Sequence, residues 1–378
     1  MPDPAYPAAR ALAATVEAHF AQRFAASAVG EAAPLPLPDA AAIEAIIDAS
    51  FWASLRREEG RAPRISLALL PPECAGRPLR FAHPLPLTPG ALTKLAPAVE
   101  RPGIHLGVWR EQGELCVWGA TRGIPPHCFV LQVIEPGLLV VKHRRAEEFG
   151  KFANVVVLQG DQVKLVDEDG GSLADCPALV RALLGFGTPD AGRGTVDVLV
   201  QLAVSMRAHG HGGTLLVVPA DGEAWRESIV HPIPYAVMPA FSGLAERLAQ
   251  SHAGSPPAPW PDALQRAVDA VAGLTAVDGA TVMNERFELL AFGAKIGRRR
   301  ERTAVEQMVV TEPVVGSQPV RVHPTLVGGT RHLSAAQFVH DQPEALALVA
   351  SQDGRFTVFA WSPCAEVVHA HRVDALLL

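Results

Sequence analysis

Two short segments of this chain carry the residue types that chemistry needs. The first is Gly328-Gly329-Thr330-Arg331-His332, two glycines followed by a hydroxyl, a guanidinium and an imidazole. If a helix opens there, its free backbone N–H groups and the positive end of its dipole favour an anion, and Arg331 adds a two-pronged contact that lysine cannot copy. A phosphate suits the grouping; the ordinary alternative is a Thr-capped surface helix with solvated Arg and His. The second segment is Val277-Asp278-Gly279-Ala280. A carboxylate at the entry of a strand points from a sheet edge toward a ligand, and Gly279 permits close approach, although an Asp-Gly pair is also an ordinary turn. His209 and His211 have the two-residue spacing that turns both imidazoles to one side of a strand, yet the neighbouring sequence suggests no third metal ligand and the surrounding glycines suit a chain reversal. The chain has no G-x-x-x-x-G-K-[ST], no G-x-S-x-G and no H-E-x-x-H.

These segments need elements to position them. At roughly 100 to 200 residues per domain, the 378 residues suggest two or three domains. Residues 8–29 and 39–57 read as helices from their three- and four-residue apolar steps, with Asp39 able to cap the second. From 64 to 170 short apolar runs alternate with turns, at 65–70, 79–81, 105–109, 114–118, 129–134, 138–142, 155–158 and 162–166. Glu135-Pro136-Gly137 and Gln159-Gly160-Asp161 have hairpin spacing. Helical periodicity returns at 176–185 and 195–208 before an apolar run at 214–218. A Pro-rich joint at 255–259 precedes a helix at 261–273, strands at 279–283 and 287–294, and an irregular stretch at 297–326. A helix near Arg331, a strand at 346–350, a turn at 352–354 and a strand at 356–360 follow. The expected fold is α+β or α/β. A helical segment at 1–60 leads to a mostly antiparallel β-rich domain at 61–172, then to a mixed sheet flanked by helices at 173–378.

Composition narrows the function classes. Hydrophobic residues are 49% and charged residues 19%, which excludes a disordered chain, and the 32 glycines and 33 prolines follow no collagen-like period. The net charge of −6, with arginines spread along the chain, argues against general nucleic-acid binding. The one dense basic run, Arg298, Arg299, Arg300 and Arg302, reads as a solvated loop or a phosphate-contacting arm. Five cysteines with no C-x-x-C suggest reduced thiols, and no stretch approaches the ~18 apolar residues of a membrane span, so a cytoplasmic protein is expected. Trp109, Trp118 and Trp225 are expected to pack in cores rather than stack on a base.

The order Asp278-Gly279-Ala280, then Gly329-Thr330-Arg331-His332 with Ala335-Ala336, then strand, turn and strand, resembles the diadenylate cyclase (DAC, or DisA-N) family. The preceding run His211-Gly212-Gly213-Thr214-Leu215-Leu216-Val217-Val218-Pro219, with Trp225, looks like its divergent branch of probable sensor domains, DACNV. The resemblance covers about 195–361, and the β region is similar in place to that branch's amino-terminal part. It implies a cyclase-like fold over 173–378 and a site in which two facing domains, each holding one ATP, join them into cyclic di-AMP. Asp278 would be catalytic, near a 3′-hydroxyl and a Mg²⁺ or Mn²⁺ ion. Gly279 and Ala280 would line the adenosine, Gly329, Thr330, Arg331 and His332 would hold phosphates, and Ser351 would join the ligand-binding set. Two departures stand out. Active members read Arg-His-Arg where this chain has Arg331-His332-Leu333, and their Ser-Glu-Glu becomes Ser351-Gln352-Asp353-Gly354, leaving Asp353 as the second metal carboxylate. Loss of one donor aimed at developing charge costs on the order of 10² to 10³ in rate.

Three readings follow. One is a nucleotide-binding sensor for ATP, a cyclic dinucleotide or another purine nucleotide, without efficient turnover. A second is an active diadenylate cyclase, a homodimer with an arginine from 298–302 replacing the lost guanidinium. A third is an interaction scaffold whose pocket is vestigial and whose β domain contacts a partner protein.

Overall fold

The computed structural model describes residues 5–26, 35–145, 152–167, 177, 180, 193–252, 262–300 and 302–378. The fold is α+β, and the chain divides into two compact units, Met1–Val166 with Leu378, and Asp167–Leu377.

In the first unit the helices α1 (Pro7–Ala26) and α2 (Ala40–Ser54) share one core with a sheet rather than standing apart from it. Val16, Phe20, Ile43, Ile46 and Ile47 are buried with Leu67, Leu106, Phe129 and Leu131. Asp39 caps α2 by accepting the Ala42 N–H at 2.7 Å. The sheet is formed by β1 (Ile65–Leu69), β2 (Leu79–Pro86), β3 (His105–Glu111), β4 (Glu114–Thr121), β5 (Phe129–Glu135), β6 (Leu138–Arg144), β7 (Phe152–Gln159) and β8 (Gln162–Leu165), with the short α3 (Pro89–Leu95) after β2. Its order is β2-β4-β3-β1-β5-β6-β7-β8, and the one parallel pair, β1 with β3, makes an otherwise antiparallel sheet mixed. Trp118 is buried and donates its indole N–H to the Leu70 carbonyl at 2.9 Å. Its ring lies where a side chain at position 107 would stand, so that position must be glycine.

The second unit has a nine-stranded mixed sheet. Its strands are β9 (Gly213–Val218), β10 (Tyr235–Phe241), β11 (Ala280–Asn284), β12 (Leu289–Ala294), β13 (Met308–Thr311), β14 (Val320–Val322), β15 (Leu346–Ala350), β16 (Phe356–Ser362) and β17 (Val367–Arg372). The order is β10-β12-β11-β9-β15-β16-β17-β13-β14, with β9/β11 and β13/β17 parallel. Every residue of β9 is buried, the mark of a strand covered on both faces. α7 (Thr330–Asp341) covers one face, where Ala335, Ala336, Phe338 and Val339 meet Leu216, Val282, Phe359 and Val368. α4 (Arg193–Ala208) and α6 (Asp262–Leu274) pack on each other, and α5 (Gly243–His252) packs on α6.

The stretch 297–326, expected to be irregular, contains β13 and β14 and is built into the sheet edge. Parallel pairing with β17 supplies the ladder that so short a strand lacks locally. The helix expected at 176–185 lies almost wholly outside the described residues, as do the whole Pro-rich joint at 255–259 and the end of the helix expected to reach residue 29. Among the described residues no helix is long and apolar enough to cross a membrane. Ala375 and Leu377 of the carboxy-terminal tail are buried, as their apolar character suggests.

Candidate functional site

The site residues named from sequence collect at one end of the second sheet. β11 and β9 pair in parallel with Ala280 beside Thr214, and β9 and β15 pair antiparallel with Gly213 beside Ala350. Asp278, Gly212 and Ser351 lie just beyond these three neighbouring strand ends, Asp278 before β11, Gly212 before β9 and Ser351 after β15. Asp278 is exposed, Ser351 half-buried and Ala280 buried.

Gly279 has φ +107°, and a Cβ there would stand 2.5 Å from the carbonyl carbon of Gly293, itself at φ +63°. Two backbones thus touch where any side chain would separate them, and this contact fixes the turn that carries Asp278. Arg331 approaches from the other side. Its Nη1 lies 3.0 Å from where a Cβ of Gly212 would be, a point also 3.2 Å from the Ala350 carbonyl oxygen. Gly212, at φ +70°, therefore leaves the space the guanidinium occupies.

Arg331 sits in the first turn of α7, whose N-cap is Gly329 with no side-chain cap. Gly329, Thr330 and Arg331 are exposed. His332 is not: it is 4% exposed, its ring edge-on to Phe359 with Nε2 3.5 Å from the Thr357 hydroxyl. Burial first, then Arg372, Arg355 and Arg331, hold the imidazole below its ordinary value, with Asp353 opposing.

After β15 the chain turns tightly, Gly354 N–H donating to the Ser351 carbonyl and Ser351 N–H to the Arg355 carbonyl. Asp353 is engaged inside this turn: it accepts the Arg355 N–H at 3.3 Å, and its Oδ2 lies 3.4 Å from Arg355 Nε. Among the described residues no group of three or more His, Cys, Asp or Glu could hold a metal ion. His209 has both ring nitrogens occupied, Nδ1 accepting the His211 N–H and Nε2 pairing with the Thr275 hydroxyl at 3.1 Å.

The arginine run stands elsewhere. Arg299 N–H donates to Asp341 at 2.8 Å, and its guanidinium pairs with Glu227. Asp341 ends α7, so Arg299 is about 17 Å from the turn that bears Arg331, at 1.5 Å per residue. The sequence did not single out Thr357 or Arg372, which strand pairing brings to His332, nor Arg355 in the turn before β16.

These features define an α+β protein of two units, the second with an exposed arginine and an exposed aspartate flanking a glycine-lined sheet end. A family model described as a probable sensor domain, DACNV, matches residues 32–122. The match falls in the first unit, from before α2 to just past β4, and is consistent with a sensor role. No curated protein matches the chain. Among solved structures, the crystal structure of a hypothetical membrane spanning protein from Bacillus cereus is similar at 14% identity over 50% of this chain and 67% of that one. Its TM-score of 0.27 is too low to bear on fold or function.

Proposed function

We propose that the chain is a nucleotide-binding sensor whose second unit takes a purine nucleotide, ATP or a cyclic dinucleotide, without efficient turnover. The observation that carries this reading is the exposed Arg331, without an ion pair among the described residues, set over Gly212 on the strand end between those of Asp278 and Ser351. A guanidinium beside uncapped helix N–H groups suits a phosphate, and a carboxylate before the neighbouring strand, β11, suits a ribose hydroxyl. Gly279 and Ala280 would lie along the nucleoside, with Gly329 and Thr330 at the phosphates.

Slow or absent turnover is supported by what the site lacks. Leu333 offers no second cation on α7, Asp353 is tied to Arg355, and Arg299 is tied to Glu227 at the far end of α7. Asp278 is left to meet any Mg²⁺ or Mn²⁺ that arrives with the phosphates. The test is to incubate the purified protein with ATP and either cation and to separate the nucleotides by liquid chromatography and mass spectrometry. Intact ATP that shifts the protein's unfolding temperature is expected. Cyclic di-AMP that disappears with Asp278→Ala would overturn the reading in favour of an active cyclase, and an absence of any nucleotide effect would favour the scaffold.

A further inference from the structure

A second arginine stands beside Arg331's helix from a distant part of the chain. β16 and β17 pair with Thr357 opposite Arg372 and Phe359 opposite Ala370. Phe359 and Ala370 lie in the apolar core that α7 covers, so strand alternation puts Thr357 and Arg372 on the same face, one pair nearer the sheet end. His332 reaches Thr357 there, and Gly328 leaves its ring room, since a Cβ on Gly328 would lie 2.5 Å from His332 Nδ1. Arg372 is half-buried at this spot, and the exposed Arg355, paired with Asp353, sits in the turn just before β16.

Arg372, opposite Thr357, thus stands beside the strand position that the buried His332 ring reaches, and the charges of Arg331, Arg355 and Asp353 also act on that ring, Asp353 being paired with Arg355. Arg331 and Arg372 have no ion pair and no side-chain hydrogen bond among the described residues. Arg331 and Arg355 are exposed and Arg372 half-buried; like charges gathered near one another repel, and an anion relieves that repulsion.

We propose that Arg331, Arg355 and Arg372 form a polyphosphate subsite on the α7 face of the sheet, Arg372 holding phosphates beyond the one at Arg331. This rests on the nucleotide reading above and extends it. A single phosphate needs one guanidinium and the helix terminus. Two unpaired guanidiniums from α7 and β17 suit a chain of two or more phosphates, as in a nucleoside di- or triphosphate.

The test is calorimetric titration of sodium tripolyphosphate, ATP and AMP into the full chain and into Arg331→Ala, Arg372→Ala and Arg372→Lys, with unfolding temperatures measured without ligand. Loss of one charge-assisted contact predicts that Arg372→Ala binds tripolyphosphate and ATP about 10- to 100-fold more weakly. AMP affinity is expected to stay within about threefold, Arg372→Lys to recover part of the loss, and the unliganded unfolding temperature not to fall. Wild-type affinity for tripolyphosphate and ATP in Arg372→Ala overturns the proposal, as does a loss accompanied by a clear drop in unliganded stability. If Arg331→Ala abolishes ATP binding while Arg372→Ala does not weaken it, the subsite is wrong and the nucleotide reading stands. If tripolyphosphate binds through Arg372 but ATP binds no better, the subsite stands and the nucleotide reading fails. No binding of either overturns both.

Discussion

Gly279 and Gly316 both hold a positive φ, +107° and +82°, but only Gly279 is crowded. A Cβ on Gly279 would lie 2.5 Å from the carbonyl carbon of Gly293 and 2.7 Å from its oxygen, whereas one on Gly316 would meet nothing within 4 Å. Gly316→Ala therefore loses only the cost of left-handed backbone for an L-residue, about 1–2 kcal/mol. Gly279→Ala pays about 1–3 kcal/mol for its backbone conformation. It also suffers an overlap that no rotamer relieves, because the atoms it meets are the backbone of Gly293 and Ala294. Overpacking of that kind adds about 1–3 kcal/mol, for a total near 4 kcal/mol. With a urea slope of about 1–3 kcal/mol per molar, the midpoint falls by about 1.3–4 M for Gly279→Ala and, at the same slope, by less than about half as much for Gly316→Ala. The assay is urea unfolding followed by circular dichroism. Equal losses of about 1 kcal/mol in both variants would refute the claim that backbone against backbone holds the Asp278 turn.

Other outcomes follow from the same geometry. Arg331→Ala is expected to weaken ATP by about 10- to 100-fold while leaving the unliganded unfolding temperature unchanged, because no ion pair is lost; thermal shift with and without ATP reads both. Acid is expected to destabilise the protein through neutral buried histidines. Burial, reinforced by His369, lowers His371 to about 3, and burial, reinforced by Lys142, lowers His105 to about 4. The unfolded chain takes up these protons first, so stability is full above pH 6.5 and declines as pH falls toward the folded values. At pH 5 each histidine costs about 2 kcal/mol. Urea midpoints that do not change between pH 7 and pH 5 contradict this.

Local pattern exposed much of the second unit, while long-range pairing stayed hidden. The strands at 346–350 and 356–360 and the turn at 352–354 were legible because apolar runs flank a Gly-containing turn closed by local backbone hydrogen bonds. β10 was not, since its residues are mostly exposed and interrupted by Pro239, so no alternation marks it. β13 and β14 were hidden by their length of four and three residues and by dependence on β17. In the site, Asp278 and Arg331 were readable because glycines adjoin them in sequence. His332 was readable as a residue but not as a buried one: its direction depends on Thr357 and Phe359, contributed by a strand 25 residues away. Arg372 carried no local signal, because only the antiparallel register of β16 and β17 brings it to α7.

The central claim is a nucleotide held at the sheet end by Arg331. Isothermal titration of ATP and of cyclic di-AMP into the wild-type chain and into Arg331→Ala tests it most directly. Saturable binding of at least one of the two to the wild type is expected, with at least a tenfold loss in the variant, the size of one charge-assisted contact. Binding of neither nucleotide, or equal affinity in both proteins, would contradict it.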